Sequence, residues 1–101
     1  MLSFFMDVFD LHLIDEFIFR YPNSRASLDV WLRTMQQSKF KHFNDLKQAF
    51  GSADYVKPHT IFNISGNKYR LISVITYSVG TTKIKYILTH AEYDKAKWRN
   101  L

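Results

Sequence analysis

Between Thr60 and Leu88 the chain changes its periodicity, and that change constrains the fold more than any other feature. Thr60 to Ile64, Lys68 to Tyr77 and Thr81 to Leu88 are rich in β-branched and aromatic residues. Ser65-Gly66-Asn67 and Ser78-Val79-Gly80 separate them, so three strands joined by two tight turns are predicted. Upstream the apolar spacing is helical. Leu13, Ile14, Phe17 and Ile18 predict a helix over His12 to Arg20, stopped by Tyr21-Pro22-Asn23. Leu28, Trp31, Leu32 and Met35 predict a second, capped by Ser24 or Ser27, and Phe43 to Phe50 a short third ended by Gly51. Met6 to Phe9 fits an edge strand. Thr89-His90-Ala91-Glu92 has the capping-box pattern, with a terminal helix expected over residues 90–98. Helices first and an antiparallel meander afterwards give an α+β fold, with the N-terminal helices on one sheet face and a short helix at the end.

The 101 residues suit one domain, 1–101. With no cysteine, disulfide scaffolds, thiolate metal sites and thiol nucleophiles are excluded. His12, His42, His59 and His90 have no ligand spacing, and neither a Gly-rich phosphate loop nor a dinucleotide fingerprint occurs, so no metal and no cofactor are expected. The N-terminal apolar stretch lacks a basic leader and is broken by Asp7 and Asp10, and no run is long enough to span a membrane. A cytoplasmic protein without membrane contact is the expectation.

The charge is strongly one-sided. Residues 1–50 carry six Lys/Arg and six Asp/Glu, whereas residues 51–101 carry eight and three, so the second half holds the whole net charge of +5. No carboxylate occurs between Asp54 and Glu92. If Gly66-Asn67 closes the first hairpin, Asn63 faces Arg70 and Ile61 faces Ile72. If Val79-Gly80 closes the second, Val74 faces Lys85, Thr76 faces Lys83 and Arg70 faces Thr89. Phe62, Ile64, Tyr69, Leu71, Ile75, Ile84, Tyr86 and Leu88 then form a core face. Asn63, Lys68, Arg70, Lys83, Lys85 and Thr89 share the other, with Ile61, Ile72 and Ile87 among them. Such a face fits RNA phosphates, with Lys57 in the loop before the sheet as a further contact. At its rim His90 starts the terminal helix, with Tyr93 and Asp94 on the same side. A histidine that takes or gives a proton near neutral pH, beside Arg70 and Lys68, is the chemistry of a metal-free phosphodiesterase: one group deprotonates a ribose 2′-OH, another protonates the leaving 5′-oxygen, and the cations hold the phosphorane.

Phe62-Asn63-Ile64-Ser65-Gly66-Asn67-Lys68-Tyr69-Arg70-Leu71-Ile72, followed by Thr89-His90-Ala91-Glu92-Tyr93-Asp94, closely resembles the HigB family of type II toxin–antitoxin systems. Phe17 to Pro22, Leu28-x-x-Trp31 and Phe50 to Asp54 resemble it too, with residues 1–5 as an N-terminal extension. The resemblance implies a RelE-like fold and a toxin that cleaves mRNA on the translating ribosome, inhibiting translation. It also implies a HigA-like helix-turn-helix antitoxin as partner. It puts Arg70 in the role of phosphate stabiliser, assisted by Lys68, and His90 and Tyr93 as acid/base or stacking groups. Asn63 and Asp94 match the motif and join Lys57, Lys83 and Lys85 as RNA contacts. Two alternatives stand beside this: a non-catalytic module gripping RNA or an acidic antitoxin segment, and a toxin of the same fold acting on gyrase, as the related ParE proteins do.

Overall fold

The structure, a computed structural model, describes residues 5–95 and 97–100. Five strands form one sheet: β1 (Asp7–Phe9), β2 (Asp54–Val56), β3 (His59–Ile64), β4 (Tyr69–Thr76) and β5 (Thr81–Thr89), in the order β1-β5-β4-β3-β2. The α+β expectation is met, and the structure corrects it in detail. β1 runs parallel to β5, so the sheet is mixed, and β2, absent from the sequence reading, pairs antiparallel with β3. Of the predicted N-terminal extension, residues 1–4 lie outside the described residues.

The helices cover one face. In α1 (His12–Arg20), Ile14, Phe17 and Ile18 are buried at i, i+3 and i+4, and the helix stops where Pro22 follows Tyr21. In α2 (Arg25–Gln36), Leu28, Trp31 and Met35 are buried. Ser24 occupies the N-cap position without capping; its hydroxyl donates to the Tyr21 carbonyl at 2.7 Å. α3 (Phe43–Ala49) is capped by His42, whose Nδ1 accepts from the Asp45 backbone N–H. These helices enclose the main core with Phe62, Ile64, Tyr69, Leu71 and Ile84 of the sheet. Phe17 meets Tyr69 edge-on at 5.0 Å, and the Tyr69 hydroxyl donates to Asn23 Oδ1, tying β4 to the turn after α1.

The first hairpin has the predicted register, with Asn63 opposite Arg70 and Ile61 opposite Ile72. The second does not. Its loop is Tyr77 to Gly80, closed by the Gly80 N–H on the Tyr77 carbonyl, so Thr76 faces Thr81 and Val74 faces Lys83. That two-residue shift preserves side-chain parity and leaves Lys83 on the face opposite the helices. A bulge between Ile72/Ser73 and Tyr86/Ile84 then leaves Lys85 unpaired and shifts the register by one. Everything beyond it changes face: Tyr86 and Leu88 join Ile72 on the second face, Ile87 packs against the main core, and Thr89 lies opposite Tyr69 instead of Arg70. The reason is packing. A second apolar cluster of Ile61, Ile72 and Trp98, flanked by Val56, Tyr86, Leu88 and Tyr93, forms on the face predicted to be open and basic.

The terminal helix is shorter than predicted. α4 spans His90–Asp94, and a separate 3-10 turn follows over Lys97–Asn100; Ala96, inside the predicted helix, lies outside the described residues. Among the described residues no helix is long and apolar enough to cross a membrane.

Candidate active site

Thr89 and Glu92 fix the start of α4. The Thr89 hydroxyl accepts from the Glu92 N–H, and Glu92 Oε1 accepts from the Thr89 N–H at 2.9 Å, a complete capping box. The His90 backbone N–H donates to the Lys68 carbonyl at 3.0 Å, tying the helix to the β3–β4 turn. His90 and Lys68 are thereby held at one end of the sheet, beside the row in which Tyr69 faces Thr89.

One helical turn on, Asp94 Oδ2 lies 2.8 Å from His90 Nδ1. A carboxylate can only accept, so in the neutral ring Nδ1 carries the proton and Nε2 keeps its lone pair. The His90 side chain is 42% exposed.

Arg70 differs from the expected exposed cation. It is 8% exposed. Nη1 donates to the carbonyls of Tyr69 and Asn67, Nη2 donates to the Asn67 side-chain oxygen, and Cζ lies over the Tyr93 ring at 5.3 Å. The buried charge is satisfied by turn carbonyls and a ring face, as a buried guanidinium requires. The fork pins the turn that carries Lys68 and lies against the Tyr93 ring of α4. Lys68 itself is exposed.

The ring of Tyr93 also stacks on Trp98, 5.4 Å away and 16° from parallel, and the Trp98 indole N–H donates to the Tyr93 carbonyl. Arg99 lies over Trp98 at 5.2 Å. Already engaged by Arg70 and Trp98, the Tyr93 ring is packed against protein groups and not presented bare to a nucleobase.

The nine sequence-predicted residues fall in three places. Arg70, Asn63, Lys68, His90, Tyr93 and Asp94 gather where β3 ends and β4 begins. Lys83 and Lys85 lie toward the other end of β5, with Val74. Lys57 is exposed in the β2–β3 turn, away from Arg70 by the length of β3. Asn63 faces Arg70 across the ladder and borders a groove lined by Ala26, Ser27, Val30 and Trp31. Lys83 is paired with Asp10 at 3.4 Å.

Trp98 and Arg99 on this face carry no signal in the sequence, and His59, which the sequence places in the loop leading into the sheet, is the first residue of β3. Trp98 is 3% exposed, closes the second cluster and meets His59 edge-on at 5.3 Å. Arg99 adds a cation at its rim. His59 is 6% exposed, and burial, followed by the nearby Lys85 charge, pushes its pKa below the ordinary value. Extending the strand predicted from Thr60 back by one residue would have found His59, since it alternates with Ile61 and Asn63. Trp98 carried no such signal, because a continuous helix would have placed it elsewhere.

Residues 24–96 match the HigB_toxin family, described as the RelE-like toxic component of a toxin–antitoxin system. The chain belongs to the HigB toxin family. It is 31% identical over 78 residues to the mRNA interferase toxin HigB of Escherichia coli (strain K12), covering 74% of this chain and 75% of that one. The same identity and coverage relate it to the mRNA interferase HigB of Shigella flexneri. With the mRNA interferase HigB of Escherichia coli O6:H1 it shares 29% over 79 residues, covering 75% and 77%. The matched region contains the His90–Asp94 pair and Arg70 with its turn.

Proposed function

We propose that this HigB-family chain is an endoribonuclease that cuts mRNA at the His90 end of the sheet, and that a HigA-like helix-turn-helix antitoxin neutralises it. The observation that carries the proposal is the His90–Asp94 pair at the start of a capped helix, beside the Arg70–Tyr93 contact. His90 Nε2 takes the proton of a ribose 2′-OH, and the 2′-oxygen attacks the adjacent phosphorus. The P–O5′ bond breaks, leaving a 2′,3′-cyclic phosphate, and the 5′-oxygen leaves as a hydroxyl with the proton of the Tyr93 hydroxyl, which His90 then restores from its Nε2–H. Asp94 stabilises the imidazolium that forms. The Arg70 charge, with Lys68 at the exposed turn, stabilises the doubly charged phosphorane. The whole basic excess lies in residues 51–101, which suits mRNA held on the ribosome, where ribosomal RNA offers a second polyanion.

The test is expression without antitoxin. Growth arrest should coincide with new 5′ ends inside coding regions, mapped by primer extension, and His90→Gln should abolish both. Arrest with intact transcripts would overturn the nuclease proposal. Loss of DNA synthesis before protein synthesis in pulse labelling would point to gyrase instead.

A further inference from the structure

At the end of the sheet away from His90, the same face carries a groove of about 550 Å³ whose lining includes Phe9, Asp10, Val74, Lys83 and Lys85. Its floor follows from the register. Phe9 faces Lys83 across β1 and β5, and Lys83 faces Val74 across β5 and β4, so the three side chains form one row. The next row toward the loop is Asp7, Thr81 and Thr76. β1 ends after Phe9, where Asp10 takes a left-handed backbone conformation (φ 67°) and its carboxylate meets Lys83. The bulge leaves Lys85 without a partner in the ladder and puts it on the groove wall. Lys85 forms no ion pair among the described residues, and its charge is felt at His59.

Phe9 is the unusual member. Its aromatic side chain is 51% exposed on an edge strand, and its ladder partner is Lys83. A stacking surface set in a positive groove is what single-stranded nucleic acid requires: the ring takes a base by its π-face and the lysines take the backbone. From the Val74 row to the Arg70 row is four residues along β4, about 13 Å. A nucleotide in the groove is therefore separate from the one being cut, with Tyr86 and the Trp98 cluster between them.

We propose that the Phe9–Lys83–Lys85 groove is an RNA subsite that stacks a base of the same strand away from the scissile linkage and holds a backbone phosphate beside it. This rests on the RNA proposal above and adds a place for the strand away from the chemistry. Asp10 holds Lys83 in position and leaves Lys85 as the principal phosphate contact.

The experiment uses the full chain carrying His90→Gln, so that RNA survives, and measures binding of a fluorescein-labelled single-stranded oligoribonucleotide by anisotropy across a salt series. Phe9→Leu, which keeps apolar bulk without a ring, should weaken binding roughly tenfold with the salt slope unchanged. Phe9→Tyr should retain affinity. Lys85→Ala should weaken binding and lower the salt slope by about one. Circular dichroism verifies that each variant is folded. Affinity within twofold of the parent for both Phe9→Leu and Lys85→Ala overturns the subsite. Unchanged RNA affinity with loss of antitoxin co-purification overturns it too, and makes the groove a protein-docking surface. The two proposals fail separately. If His90-intact protein cuts transcripts while Phe9 and Lys85 are silent in binding, only the groove falls. If Phe9-dependent binding holds while transcripts stay whole, the nuclease falls and the groove stands.

Discussion

Asp94 Oδ2 lies 2.8 Å from His90 Nδ1, so one imidazole nitrogen is engaged by the carboxylate and Nε2 is the one left for chemistry. The pair sits on one turn of a five-residue helix, held in place by its cap and its tie to Lys68. Orientation and tautomer of the His90 ring therefore depend on a single carboxylate.

Asp94→Asn removes that control. An amide can donate as well as accept, so the ring can turn its lone pair toward the new amide and present an N–H to the substrate. Cleavage should fall by roughly 10²-fold, the scale of one general acid–base contribution. The pair is solvent-exposed, so the thermal midpoint should barely move. Single-turnover cleavage on ribosome complexes, with a melting curve beside it, measures both. Full activity in the variant would remove Asp94 from the mechanism.

Thr89→Ala should act through stability first. It leaves the Glu92 N–H without its hydroxyl partner and opens one half of the capping box, at a cost of about 1 kcal/mol. Urea denaturation should give a lower midpoint with an unchanged slope. Because His90 begins the same helix, cleavage should also drop, and osmolyte stabilisation should recover the stability without recovering the rate.

Arg70→Lys should fail despite keeping the charge. One ammonium cannot span the Tyr69 and Asn67 carbonyls and the Asn67 side chain while lying flat over Tyr93. Cleavage should be lost almost as fully as in Arg70→Ala, and both variants should unfold at lower temperature than the parent. A Lys variant with parental rate and stability would mean that only net charge matters at this position.

Much of this was legible in the sequence, and the failures have physical causes. Helix faces and the first hairpin followed from local information: apolar spacing in α1 and α2, and a turn whose backbone geometry sets Asn63 against Arg70. The capping box was equally local, since its four residues supply their own partners. The bulge at Lys85 was not. No residue there is Gly or Pro, and the extra residue is set by how Tyr86 and Leu88 pack against Ile61, Ile72 and Trp98 from distant segments. For the candidate site, composition located the cations correctly in the second half, yet could not distinguish a buried Arg70 from an exposed Lys83. That difference comes from the Asn67 and Tyr93 contacts, which exist only once the turn and α4 are in place.

His59 gives a stability prediction with a definite sign. It is buried against Trp98 with Lys85 nearby, and both burial and that charge oppose protonation, lowering its pKa from the ordinary 6.5. In the unfolded chain the ring titrates normally, so below about 6.5 the unfolded state binds the proton first and folding must displace it. Stability is therefore complete above pH 6.5, declines as the pH falls below it, and stops declining for this group once the folded-state value is passed. His59→Phe keeps a ring against Trp98 and removes the titration. In urea melts between about pH 7.5 and 5, the parent should lose more stability than His59→Phe. Parallel pH profiles for the two proteins would show that His59 carries none of the acid sensitivity.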